Sequence, residues 1–199
     1  MNAQSAARDE KPDESVIRPT KLAHFVLRTS RYDQLLEWYK TVLGAGVAYA
    51  NGALAFLSFD EEHHRVAILS VPDLGQQDGT TVGVHHIAFT YASLADLLGH
   101  YERLRDLGIK PIYVINHGPT TSLYYADPDG NQLEFQVENF DTIEESTRFF
   151  YSEEFAENPI GVEFDPEVLL ERMRAGEPEA ELKRRPRVGE RGLSDVKLR

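Results

Sequence analysis

His24, His86 and Glu134 are the residues of this chain best suited by type and placement to hold a metal. His24 and His86 lie 62 residues apart in two stretches of the same pattern, Leu22 to Leu27 and Val84 to Tyr91. Glu134 sits within Asn131 to Val137, where Leu133, Phe135 and Val137 make one face and Gln132, Glu134 and Gln136 the other. A carboxylate in the middle of a strand is an uncommon thing to place inside a fold. Two imidazoles and one carboxylate that leave coordination positions open are the ligand set suited to non-heme Fe(II). That set leaves room for an anionic chelating substrate. A single strand histidine is most simply a satisfied polar residue; three ligands at repeat-related positions point to a shared metal. His117 and Tyr124 lie just upstream of Glu134. Histidine titrates near neutral pH, which suits proton transfer, and a tyrosine hydroxyl can donate or accept.

The elements that must position these groups occur twice. A strand over 22–27 is followed by a helix with Leu35, Leu36, Tyr39, Val42 and Leu43 at helical spacing, capped by Thr29-Ser30 and ending at Gly44. Strands over 46–50, 53–59 and 64–71 follow, the first two joined by Asn51-Gly52, a strong hairpin signal. After a Gly- and Asp-rich linker over 72–81 the pattern returns. A strand over 84–91 leads to a helix capped by Ser93 and ending at Gly108, then strands over 111–115, 122–126 and 131–137. Asp127-Pro128-Asp129-Gly130 supplies the last turn. The expected fold is α+β, with two βαβββ modules over 21–71 and 82–138 pairing into a half-open barrel around a metal site. An internal duplication sets Glu134 against the region from Val66 to Pro72, within which the local pattern pairs it best with Ala67.

Composition narrows the function. The net charge of −12 argues against nucleic acid and anionic membranes as partners. With no cysteine there are no disulfides, thiolate ligands or cysteine nucleophiles. No apolar run reaches membrane-helix length, and the first residues have no apolar segment of a secretory signal, so a cytoplasmic protein is expected. Residues 1–18 read as a disordered polar tail and 19–140 as the domain. The extension over 141–199 carries a charged, aromatic, helical segment to Glu157 and a helix opened by Asp165-Pro166 and closed by Gly176. From Glu177 an extended or disordered arm is expected, ordered by packing on a partner subunit in a homo-oligomer. His100, beside Gly99 in the second helix, reads as a surface residue, and His85 as a packing histidine turned to the helix side.

The stretch from His117 through Leu123-Tyr124 and Asp127-Pro128-Asp129-Gly130 to Glu134 resembles the signature of type I extradiol, catechol ring-cleaving dioxygenases. More broadly, residues 20 to 140 resemble the vicinal oxygen chelate, or glyoxalase–bleomycin resistance, superfamily. The turn and its Glu are shared across that superfamily; His117 with Tyr124 at this spacing is the more specific part. The resemblance implies Fe(II), or Mn(II) with the same ligands, on His24, His86 and Glu134. It implies an acid/base role for His64, with His63 adjacent as the other candidate. His117 becomes a second pocket histidine and Tyr124 the tyrosine that bonds the substrate oxygen. The expected partners are O2 and a small aromatic diol, including biaryl diols. Many relatives carry two paired modules; this chain has one pair.

Two other functions use the same fold. A metal-dependent isomerase, epimerase or lyase without O2 commonly takes a fourth protein ligand from the last strand of the first module, where this chain has Ala67. A non-catalytic small-molecule binding protein predicts loss of ligands that are all present here.

Overall fold

The structure is a computed structural model that describes residues 13–75, 77, 82–192 and 195. The expected tail falls mostly on residues 1–12, which lie outside the described residues, as do 76 and 78–81 of the linker and 193–194 and 196–199 of the arm.

Each half of the domain is strand, helix, three strands. The first contains β1 (Phe25–Thr29), α1 (Tyr32–Leu43), β2 (Gly46–Ala50), β3 (Leu54–Ser58) and β4 (Val66–Ser70). The second contains β5 (His86–Thr90), α2 (Leu94–Asp106), β6 (Tyr113–Asn116), β7 (Thr120–Ala126) and β8 (Gln132–Glu138). Helix α1 buries Leu35, Tyr39 and Val42 and ends at Gly44, whose φ of 62° suits a residue without Cβ. Its start differs from expectation. Arg31 takes the cap position without a side-chain bond, and Thr29 Oγ1 accepts from the Arg31 N–H at 2.8 Å. Helix α2 is capped by Ser93, which accepts from the Asp96 N–H.

The sheets have matching orders, β1-β4-β3-β2 and β5-β8-β7-β6, with β1–β4 and β5–β8 parallel; a short strand at Val162–Glu163 extends the second beyond β6. Val26 pairs with Ala67 as Ala88 pairs with Glu134. Because Val26 and Ala88 share the 62-residue offset of the histidines, Ala67 and Glu134 are equivalent positions. One apolar core joins both helices to one face of each sheet, taking in Leu57, Ile68, Leu133 and Phe135. Phe25 and Phe89 meet on this side with ring centroids 6.2 Å apart, which brings β1 beside β5. The alternate positions, including Val26, Ala88, Tyr124 and Glu134, occupy the opposite face. Among the described residues both sheets are open.

The Asp127–Gly130 turn also fastens the modules together. Asp127 is buried; its Oδ1 accepts from the backbone N–H of Asp129 and Asn131, and its Oδ2 accepts from Tyr39 of α1 at 3.2 Å. Arg31 pairs with Asp129 at 2.8 Å.

The extension adds α3 (Ile143–Phe149), α4 (Glu153–Glu157), β9 (Val162–Glu163), α5 (Pro166–Arg174) and α6 (Glu179–Leu182). Asp165 caps α5 with Pro166 at its start. Strand β9, absent from the sequence reading, pairs antiparallel with β6. The segment after Glu177 is not a free arm. It forms α6, and then Lys183 O accepts from Asn116 Nδ2 at 2.8 Å. No helix among the described residues is long and apolar enough to cross a membrane.

Candidate active site

Glu134 is the centre of a buried polar group in the second module. It is 5% exposed, and its Oε2 lies 3.0 Å from His86 Nε2. The register places Tyr124 directly across from it on β7. Burial by itself raises the Glu134 carboxyl, but hydrogen bonds from His86, Ser122 and Tyr124, with His117 nearby, outweigh it and hold the group below its ordinary value. The Tyr124 hydroxyl is pushed up by its own burial and then by the Glu134 charge, so it stays protonated. His117 extends the chain: its Nε2 is 3.0 Å from the Tyr124 oxygen, and its Nδ1 is 2.5 Å from Ile160 O. A carbonyl only accepts, so the Nδ1 carries the proton. Burial lowers the His117 pKa, which leaves a neutral ring with a bare Nε2 beside the Tyr124 hydroxyl, whose one proton goes either to that nitrogen or to Glu134.

His24 and His64 form a second group. Strand β1 begins at Phe25, so His24 stands just ahead of it and not in mid-strand. The carbonyls of Leu22 and Ala23 are taken by Arg65 Nη1 at 2.7 and 3.0 Å, which keeps this segment out of the ladder. The His24 ring lies on His64 at 4.3 Å, and His64 in turn on Phe56 at 4.6 Å. His63 is exposed, so His64 is the one held against His24. Burial, then His24 and His63, lower the His64 pKa.

The structure thus joins His86, Glu134, Tyr124 and His117 into one chain and His24 with His64 into another. Among the described residues, no three His, Asp or Glu side chains converge closely enough to hold a metal ion. The His86–Glu134 edge nevertheless suits one. Adjacent ligands on an octahedral ion with bonds of about 2.1 Å stand about 3.0 Å apart. His24 holds the register position equivalent to His86, since β1 begins one residue after His24 against Val66 as Ile87 stands against Leu133.

The family model of the Glyoxalase/Bleomycin resistance protein/Dioxygenase superfamily matches residues 21–135. The chain belongs to this superfamily. Among superfamily proteins it is 51% identical to Biphenyl-2,3-diol 1,2-dioxygenase 3 of Rhodococcus globerulus, over 81% of this chain and 86% of that one. Biphenyl-2,3-diol 1,2-dioxygenase 2 of the same organism is 48% identical over 79% and 84%. Solved superfamily structures share the fold: a glyoxylase/bleomycin resistance protein/dioxygenase domain from Frankia sp. EAN1pec superposes with a TM-score of 0.52 at 18% identity, covering 63% of this chain and 96% of that one.

Two histidines depart from the sequence reading. His100 is buried, with its ring 4.5 Å from Phe135 and 5.1 Å from Tyr91, because its turn of α2 faces the sheet. His85 is exposed, with its Nδ1 2.8 Å from that of His86, since it precedes β5 and is not drawn into the core. Three contributors escaped the sequence. Ser122 serves Glu134, and its spacing of two from Tyr124 on one strand face was the available signal. Ile160 and Arg185, which lie against His117, had no such signal.

Proposed function

We propose that this chain is an extradiol dioxygenase that opens the ring of a catechol with O2, at a metal held by His86, Glu134 and, from the equivalent register position, His24. The identity of about half to two biphenyl-2,3-diol dioxygenases supports the reaction and a biaryl catechol as substrate. The observation that carries it in this molecule is the unbroken chain His117–Tyr124–Glu134–His86, which sets proton-handling groups directly against the ligand pair.

Fe(II), or Mn(II) on the same ligands, would supply open coordination positions at which catechol and O2 meet. The protein supplies orientation and proton transfer. A catechol gives up protons on binding, and the unprotonated Nε2 of His117 accepts one through Tyr124. Tyr124, protonated and fixed between His117 and Glu134, orients the substrate oxygen. His64, kept neutral by burial, serves as the base on the side of the first module. Both oxygen atoms of O2 end in the ring-opened product. Ala67 places no carboxylate at the position equivalent to Glu134, which favours this reading over an O2-independent isomerase or lyase with a fourth protein ligand. A cytoplasmic homo-oligomer is the matching setting.

The test is anaerobic loading with Fe(II) followed by a panel of catechols in an oxygen electrode. The expected result is one O2 consumed per catechol with a yellow semialdehyde product. Iron-loaded protein that consumes no O2 with any catechol would rule the function out.

A further inference from the structure

His117 is held by residues that lie beyond the segment shared with the superfamily model, which ends at residue 135. Its backbone is in the β6–β7 turn, where the His117 N–H donates to Thr120 O at 2.9 Å. Its side chain depends on the loop between α4 and β9. Ile160 O accepts the Nδ1 proton there, and that loop is built by Asn158, whose Oδ1 accepts from the N–H of Ile160 at 3.1 Å and of Gly161 at 2.8 Å. Gly161, with φ of 121°, lies flush against the turn: a Cβ would come within 2.4 Å of Asn116 O and 2.8 Å of His117 Cα.

Arg185 locks this loop to the turn. Its Nη1 donates to His117 O at 3.1 Å and to Asn158 O at 2.8 Å, while Nη2 donates to Glu154 O at 3.0 Å. Nε meets the Glu154 carboxylate at 3.1 Å, and the guanidinium lies 5.0 Å from the centroid of the Phe149 ring. The side chain is 3% exposed. A buried cation that ties the turn, its supporting loop and helix α4 together, with the Glu154 carboxylate as its counter-charge, is a costly arrangement for a mere surface tie. Only a planar fork reaches three carbonyls at once; a lysine presents a point donor.

We infer that Arg185 is a positioning residue. By clamping the Asn158–Gly161 loop onto the β6–β7 turn, it keeps the Ile160 carbonyl on His117 Nδ1 and so fixes the ring with Nε2 facing Tyr124. The clamp matters for turnover because a neutral imidazole free to exchange tautomers presents Nε2 as an acceptor only part of the time. This rests on the dioxygenase reading for its effect on turnover, but not for its effect on the ring.

The experiment compares the full-length protein, Arg185→Lys, His117→Ala and the double variant. With biphenyl-2,3-diol as probe, Arg185→Lys lowers kcat by about 10- to 100-fold, the scale expected of a misplaced catalytic group, with KM and iron content little changed. In the His117→Ala background the same substitution has no further effect beyond about twofold, since nothing remains to position. In the metal-free full-length proteins, long-range ¹H–¹⁵N spectra show a single Nδ1-protonated His117 in the parent and averaged tautomers in Arg185→Lys. Equal losses in both backgrounds, an unchanged kcat, or an unchanged single tautomer in Arg185→Lys would overturn the inference. Should the parent turn over no catechol, the dioxygenase reading fails while the tautomer measurement still decides the clamp.

Discussion

Tyr124→Phe removes one oxygen from the middle of the site and nothing else. The phenyl ring keeps its packing against His86, 5.3 Å away, and against Tyr113 at 5.8 Å, so the strand pairing that sets Glu134 is undisturbed. Glu134 loses one hydrogen-bond donor but keeps His86 and Ser122, so the proposed metal ligand remains ionised and in place. His117 Nε2 loses its partner at 3.0 Å, and the substrate oxygen loses its orienting hydroxyl. A hydrogen bond to a charged group contributes about 1.5–3 kcal/mol, so kcat/KM should fall roughly 10- to 150-fold. The assay pairs metal analysis with oxygen-electrode kinetics on iron-loaded protein, the variant beside the parent. Iron content should match the parent while kcat/KM drops. Iron lost in step with activity would place Tyr124 among the groups that hold the metal, and kcat/KM within about twofold of the parent would mean that the hydroxyl does not reach the substrate.

Other outcomes follow from the same geometry. Glu134→Ala should leave a folded protein by circular dichroism that retains no iron by metal analysis, because it deletes the proposed anionic ligand. Ala67→Glu introduces a carboxylate at the position equivalent to Glu134; the variant should still bind iron while catechol-dependent O2 uptake is lost, and undiminished uptake would refute the open-position argument. His100 supplies a pH effect on stability. Burial and then the Arg103 charge lower its pKa to about 4, whereas the unfolded chain titrates near the ordinary value of 6.5. The unfolded state therefore binds the extra proton between those values, so the stabilisation is present above about pH 6.5 and is lost as pH falls towards 4. The full difference is about 3 kcal/mol, and denaturant melts should show the parent losing stability from pH 6.5 towards 4 while His100→Phe lacks this slope.

Local rules made much of the domain legible in the sequence. Helix periodicity, the Ser93 cap, the Asn51-Gly52 hairpin and the Asp127–Gly130 turn are set by residues within a few positions of each other, and all appear as read. Alternation in 131–137 sorted Glu134 from its apolar neighbours, the repeat offset singled out His24 and His86, and the local strand pattern paired Glu134 with Ala67. Those signals work because period and repeat are properties of the chain itself. Other features depend on what meets what across long separations. Whether α2 turns His100 inward is settled by the rings of Phe135 and Tyr91, and whether His63 or His64 lies on His24 is settled by the approach to β4. The Asp127 turn reads locally as a turn, yet its carboxylate reaches Tyr39 in the other module. The arm after Glu177, polar and rich in arginine, has the composition of a solvated tail. It is ordered because the turn at His117, the loop at Asn158 and helix α4 at Glu154 each offer a buried guanidinium one carbonyl, and no local pattern announces that match. The sequence by itself determined which groups could hold a metal and move a proton; only the tertiary structure decided which of them touch, and what holds His117 to its task.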